Sequence, residues 1–151
     1  MPIRNSIKAI IIENGKILLT KNQDTDGIFY LCPGGGQEHG ETFHTALTRE
    51  CIEEIGYSIT IGELLFIREY IGKNHEHAAF DSPVHQIEFY FLCHLKNQTQ
   101  SPTNPDCFQI GIEWIPIENL LAYQLYPKEL IRYLQQFAAG KKSPIYLGDI
   151  N

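Results

Sequence analysis

The chain has 151 residues and, with 12 Lys plus Arg against 18 Asp plus Glu, a formal charge of −6. Its 43% apolar and 20% charged residues exclude the weakly hydrophobic, highly charged composition of disordered chains, and the length predicts a single domain over 1–151. Acidity argues against a protein that grips nucleic acid by neutralising phosphates with clustered Lys and Arg, so no nucleic-acid partner is expected.

Met1 to Ile12 holds one short apolar run that ends at Glu13, with no leader-type segment, so neither targeting nor membrane insertion is expected. Cys32, Cys51, Cys93 and Cys107 are scattered, without Cys-x-x-Cys or zinc-finger spacing. Free thiols in a reducing cytoplasm are the expectation.

The pattern predicts a hairpin first. Ile7 to Ile12 and Ile17 to Thr20 are apolar and partly β-branched, and Asn14-Gly15 between them is a preferred type I′ turn pair. Gln23 to Gly27 reads as a polar loop, and a short strand, Phe29 to Cys32, runs into Pro33 and the glycines Gly34, Gly35 and Gly36. Thr42 to Ile55 lacks Gly and Pro and predicts a helix stopped by Gly56. Tyr57 to Ile71 reads as a strand bent at Gly62.

Val84 to Leu95 alternates, with Ile87, Phe89, Phe91, Cys93 and Leu95 on one face and Gln86, Glu88, Tyr90 and His94 on the other. The first face predicts core, the second chemistry or solvent. Lys96 to Gln109 is a long polar loop, Ile112 to Ile115 a last short strand, and Pro127 to Ala138 a helix with Leu130, Ile131, Leu134 and Phe137 as its apolar stripe. Hairpin-linked strands followed by strand and helix in alternation predict a mixed sheet covered by helices.

The chemistry concentrates between Gly34 and Tyr57. On a helix at about 100° per residue, Glu50, Glu53 and Glu54 share one arc. Like charges at these spacings repel, and anions toward a helix C-terminus also oppose the macrodipole. Arg49 can pair with Glu53, but one arginine cannot neutralise three carboxylates, whereas a hard divalent cation can. The preceding glycines leave backbone groups open to close approach by a phosphate.

These residues resemble the Nudix box: Gly, five residues, Glu, seven residues, Arg-Glu, an apolar residue, any residue, Glu-Glu, any residue, Gly, an apolar residue. The seven fixed letters fall on Gly35, Glu41, Arg49, Glu50, Glu53, Glu54 and Gly56. At about 6% per letter, a chance match is on the order of 10⁻⁹ per starting point. Cys51 and Tyr57 occupy positions where aliphatic residues are common. Leu31 to Gly36 and Glu113 to Pro116 extend the resemblance over most of the chain.

The resemblance implies an α/β (α+β) fold, an α/β/α sandwich on a mixed sheet, and hydrolysis of a nucleoside diphosphate linked to another group. Carried over, Glu50, Glu53, Glu54 and the Gly34 carbonyl would bind Mg²⁺ or Mn²⁺, Arg49 and Glu41 would position the carboxylates, and Gly34, Gly35 and Gly36 would meet the substrate. The base that takes the proton from water is assigned to Glu53 or Glu50, with Glu88 as an outside candidate, although Arg68 could instead make Glu88 a structural ion pair. The same fold without catalysis, as a nucleotide-sensing or partner-binding module, is the alternative. A homodimer is compatible with the resemblance.

His75-Glu76-His77 invites a metal site but reads better as loop, with a lid role over substrate. Tyr30, Phe66, Tyr70 and Tyr90 could stack on a base or simply pack. Ile67 to Phe80 and Lys96 to Gln109 are the segments expected to select the substrate. Between Glu38 and Glu54 lie five acids and one base, so −4 of the total −6 belongs to this stretch.

Overall fold

The computed structural model describes residues 2–99 and 107–151. Its strands are β1 (Arg4–Glu13), β2 (Lys16–Asp24), β3 (Gly27–Leu31), β4 (Gly34–Gly36), β5 (Tyr57–Ile71), β6 (His85–Gln98), β7 (Gln109–Pro116) and β8 (Tyr146–Asp149). The helices are α1 (Phe43–Ile55), the short α2 (Ala78–Asp81) and α3 (Leu130–Ala138), with 3₁₀ turns at Gly72–Asn74 and Ile117–Ala122.

The sheet runs β3-β2-β1-β6-β5-β8, with β4 added to β1 and β7 to β2. β1 pairs with β6, and β5 with β8, in parallel; the other pairings are antiparallel. Alternation along β1 divides the core. Ile7, Ala9 and Ile11 pack with Ala46, Leu47, Cys51 and Ile55 of α1, whereas Ile10 packs with Leu130, Ile131 and Leu134 of α3. The sheet therefore lies between α1 and α3, as the expected sandwich requires.

Local chemistry explains the elements that match expectation. Asn14 and Gly15 both have positive φ, 52° and 75°, as a type I′ turn demands. Thr42 caps α1, its side chain accepting from the Thr45 amide, and Gly56 closes the helix at φ 74° while its amide donates to Cys51 and Ile52. β5 spans the predicted residues, with its register shifting between Ile61 and Leu64, around Gly62.

Other elements differ. The expected loop at 23–27 contracts to Thr25-Asp26, because β2 and β3 stay paired out to Asp24 and Gly27. The glycines after Pro33 form strand β4, with Gly36, Gly35 and Gly34 opposite Ser6, Ile7 and Lys8. The second face of β6 is mixed: Tyr90, 1% exposed, packs in the α3 core, Glu88 is 5% exposed, and His94 is exposed.

α3 begins at Leu130 rather than at Pro127, because the first bonds, Leu130 N to Pro127 O and Ile131 N to Lys128 O, close i+3 turns that precede the regular helix. β7 outruns the predicted Ile112 to Ile115, and β8 has no counterpart among the predicted elements. Four residues long, interrupted by Gly148 and paired on one side with β5, β8 carries little periodic signal. Part of the loop expected at Lys96 to Gln109, residues 100–106, lies outside the described residues. No helix among the described residues is long and apolar enough to cross a membrane. All four cysteines are free, with only Cys107 exposed.

Candidate functional site

The register builds a polar floor. Across β1, β6 and β5 the rows are Arg4–Gln86–Tyr70, Ser6–Glu88–Arg68 and Lys8–Tyr90–Phe66. On this face the sequences Arg4-x-Ser6-x-Lys8 and Gln86-x-Glu88 precede the apolar Ile10 and Leu92, so polar residues gather at one end and core at the other. A cleft of about 630 Å³ opens above the polar end. That is within the roughly 300–1,000 Å³ of ligand pockets. Gly34, Gly35, Gly36 and Glu50 line it, as do Phe29, Tyr126, Glu76 and His77.

Gly34 fits only as glycine. Gly34 has φ 132°, and a Cβ there would stand 2.0 Å from the Ile7 carbonyl oxygen. A Cβ on Gly35 would lie 2.6 Å from Oε1 of Glu50, so the Glu50 carboxylate rests directly on this glycine. Burial pushes the Glu50 carboxyl up and the Glu53 charge adds to this, while Arg49 and Lys8 oppose it.

Arg49 is the hub of the box. Its Nε and Nη2 donate to Glu41 Oε2 and Oε1 at 2.8 and 2.9 Å, a bidentate pair. Nη1 reaches Glu50 Oε1 at 3.0 Å and Glu53 Oε2 at 3.4 Å, and Nη2 also donates to the Gly36 carbonyl at 3.1 Å. The hydrogen bonds from Arg49, with one from the Glu38 amide, hold the Glu41 carboxyl down to about 2. Glu54, 4% exposed, accepts the Gly34 amide at 2.7 Å through Oε1. Glu54 and Glu50 thus both meet the glycine strand, and Arg49 links Glu53 to Glu50. Among the described residues no three Glu, Asp, His or Cys side chains are yet gathered on a single point. The donor chemistry nonetheless suits a hard cation, being three carboxylates and the Gly34 carbonyl around one turn.

Glu88 sits in the floor with every oxygen engaged. Oε1 accepts from Arg68 Nε at 2.6 Å and Tyr90 OH at 2.5 Å, and Oε2 from Gln86 Nε2 at 2.7 Å. Burial alone would raise its carboxyl, but Arg68, Lys8 and these hydrogen bonds bring it down to about 2. Arg68 also donates to the Ile150 carbonyl at 2.6 Å, tying the segment after β8 to the floor.

Among the aromatic candidates, Tyr30, Phe66 and Tyr90 are core residues and Tyr70 borders the cleft. His75 is fixed by Asp149 Oδ1 at 2.6 Å and stacks on Tyr70, whereas Glu76 and His77 face the cleft. Sequence reasoning missed Lys8, Arg4 and Ser6. Their signal was available as polar residues at every second position leading into an apolar strand face.

The sequence profile of the NUDIX domain matches residues 2–137. Nucleoside diphosphate-linked moiety X motif 6 of Xenopus laevis is 28% identical over 111 residues, covering 72% of this chain and 46% of the relative, so the chain spans less than half of that protein. A NUDIX hydrolase from Nitrosomonas europaea superposes with a TM-score of 0.75 at 21% identity, covering 95% of this chain and 94% of that one. A UDP-X diphosphatase does so with a TM-score of 0.74 at 23% identity, covering 99% and 68%. With the family profile spanning residues 2–137 and the box carboxylates linked through Arg49 and the glycine strand, the chain belongs to the Nudix family.

Proposed function

We propose that this chain hydrolyses the diphosphate linkage of a small nucleoside diphosphate derivative, releasing two phosphate-bearing products, with Mg²⁺ or Mn²⁺ as cofactor. The observation that carries the reading is the contact of Glu54 with Gly34 and of Glu50 with Gly35, with Arg49 joining Glu53 to Glu50, beside a cleft that Arg4 and Lys8 also line. Carboxylates suit a cation, and the adjoining cations suit a phosphate. The name UDP-X diphosphatase, carried by a protein of the same fold, supports the substrate class.

The Glu50, Glu53 and Glu54 carboxylates with the Gly34 carbonyl would hold the ion, which when bound neutralises the diphosphate and lowers the pKa of a water. Glu50 borders the cleft and Arg49 orients it, so Glu50 takes the proton from the attacking water. Arg49 keeps Glu41, Glu50, Glu53 and the Gly36 carbonyl in one arrangement. Glu88, its oxygens filled by three donors, positions the floor rather than accepting a proton.

A panel of ADP-ribose, nucleotide sugars, dinucleoside polyphosphates and nucleoside triphosphates with Mg²⁺ and Mn²⁺ tests this. Phosphate release with and without added phosphatase should reveal two phosphate-bearing products for at least one class. Calorimetric binding without turnover in either metal would favour the non-catalytic module.

A further inference from the structure

Lys8 is an unusual residue for its place. It interrupts the apolar run from Ile7 to Ile12 in a strand flanked on both sides by β4 and β6, where a charged side chain is costly unless it has partners. It is half-buried, and its Nζ donates to the carbonyls of Cys32 at 3.4 Å and Gly34 at 3.3 Å. Both lie at the long end of the hydrogen-bond range, so the ammonium is held loosely. Among the described residues it makes no ion pair, although Glu50 and Glu88 border the same cleft and both feel its charge.

One of those two carbonyls, Gly34, is also the backbone oxygen that the proposed function gives to the metal. Two cations cannot rest on one carbonyl without strong repulsion. The ion must therefore dislodge the ammonium, and the cleft that Lys8 already lines is open to it. An anion arriving with the ion offers it a far better partner than a neutral carbonyl.

We infer that Lys8 is a two-position cation: its ammonium rests on the Cys32 and Gly34 carbonyls in the free protein and moves onto a phosphate oxygen of the substrate when the ion takes the Gly34 carbonyl. The inference rests on the metal-dependent reading of the site. It makes Lys8 both a competitor of the metal and a ligand of the diphosphate, so neutralising it should move the two affinities in opposite directions. A lysine that merely braced the glycine strand would weaken both when removed.

The test uses the full chain with Lys8→Met, Lys8→Gln and Lys8→Arg. Lys8→Gln keeps a donor for the carbonyls and so preserves the strand if Lys8→Met does not fold. Mn²⁺ alone is titrated by electron paramagnetic resonance, and imidodiphosphate is then titrated calorimetrically at saturating Mn²⁺. The neutral variants should bind Mn²⁺ at least about threefold more tightly and imidodiphosphate about tenfold more weakly, with Lys8→Arg close to wild type on both. Neutral variants that bind Mn²⁺ no more tightly than wild type, or imidodiphosphate equally well, would overturn the role of Lys8 alone. A wild-type chain that binds no Mn²⁺ would overturn the metal-dependent reading and this inference with it.

Discussion

Arg49 holds Glu41 by two parallel hydrogen bonds of 2.8 and 2.9 Å, and from that anchored position the same guanidinium reaches Glu50, Glu53 and the Gly36 carbonyl. Glu41 thus acts on the carboxylates only through Arg49. A lysine cannot reproduce the planar fork. Arg49→Lys and Glu41→Gln should each lower turnover by about 10–100-fold, the usual cost of losing a group that orients metal ligands, while thermal unfolding changes little. Mn²⁺ titration beside the kinetics should show weaker binding in both variants.

Neighbouring glycines should fail in different ways. A Cβ at Gly34 would meet the Ile7 carbonyl at 2.0 Å on a residue with φ 132°, so Gly34→Ala should break the β1–β4 pairing and yield little folded protein. A Cβ at Gly35 first meets the end of the Glu50 side chain, at 2.6 Å, which can swing aside. Gly35→Ala should therefore fold and lose most of its turnover. Circular dichroism alongside activity separates the two outcomes.

Acid should weaken the fold partly through Glu88. Its carboxyl, about 2 in the folded chain against an ordinary 4.5, is depressed, so its stabilisation is present above pH 4.5 and is lost as pH falls toward 2. Glu41, also held to about 2, contributes over the same window. Glu88→Gln should unfold with a shallower dependence on pH between 4.5 and 2 than wild type. Arg68→Met, which strands a buried carboxylate, should cost about 3–5 kcal/mol at neutral pH. Urea unfolding across pH checks both.

The thiols give a test of the packing. Cys32, Cys51 and Cys93 are buried, and burial pushes the Cys32 and Cys93 thiols up to about 12. Only Cys107 is exposed. Iodoacetamide at neutral pH should modify Cys107 alone in the native chain and all four cysteines in denaturant, as read by mass spectrometry.

Features written in consecutive residues were legible in the sequence. Asn14-Gly15 specified its turn, Thr42 and Gly56 bounded α1, and the box located Arg49 among its carboxylates. What escaped was set by pairing between distant strands. Lys8 meets Gly34 because β1 takes both β4 and β6 as neighbours, and Ser6 comes beside Glu88 and Arg68 only through the β1–β6–β5 register. The ion pair weighed for Glu88 and Arg68 does form, at 2.6 Å. β8 could not be read, since four residues around Gly148 owe their extended form to the edge of β5.

The proposed hydrolysis depends on the α1 carboxylates beside the Gly34–Gly36 strand and on the metal they would hold. The most direct measurement is turnover by Glu53→Gln and Glu54→Gln, with Mg²⁺, on the best substrate of the panel. Both variants should remain folded, Glu54→Gln keeping an acceptor for the Gly34 amide, and both should lose at least about two orders of magnitude in kcat. Near-wild-type turnover in both would rule out a role for these carboxylates in the reaction.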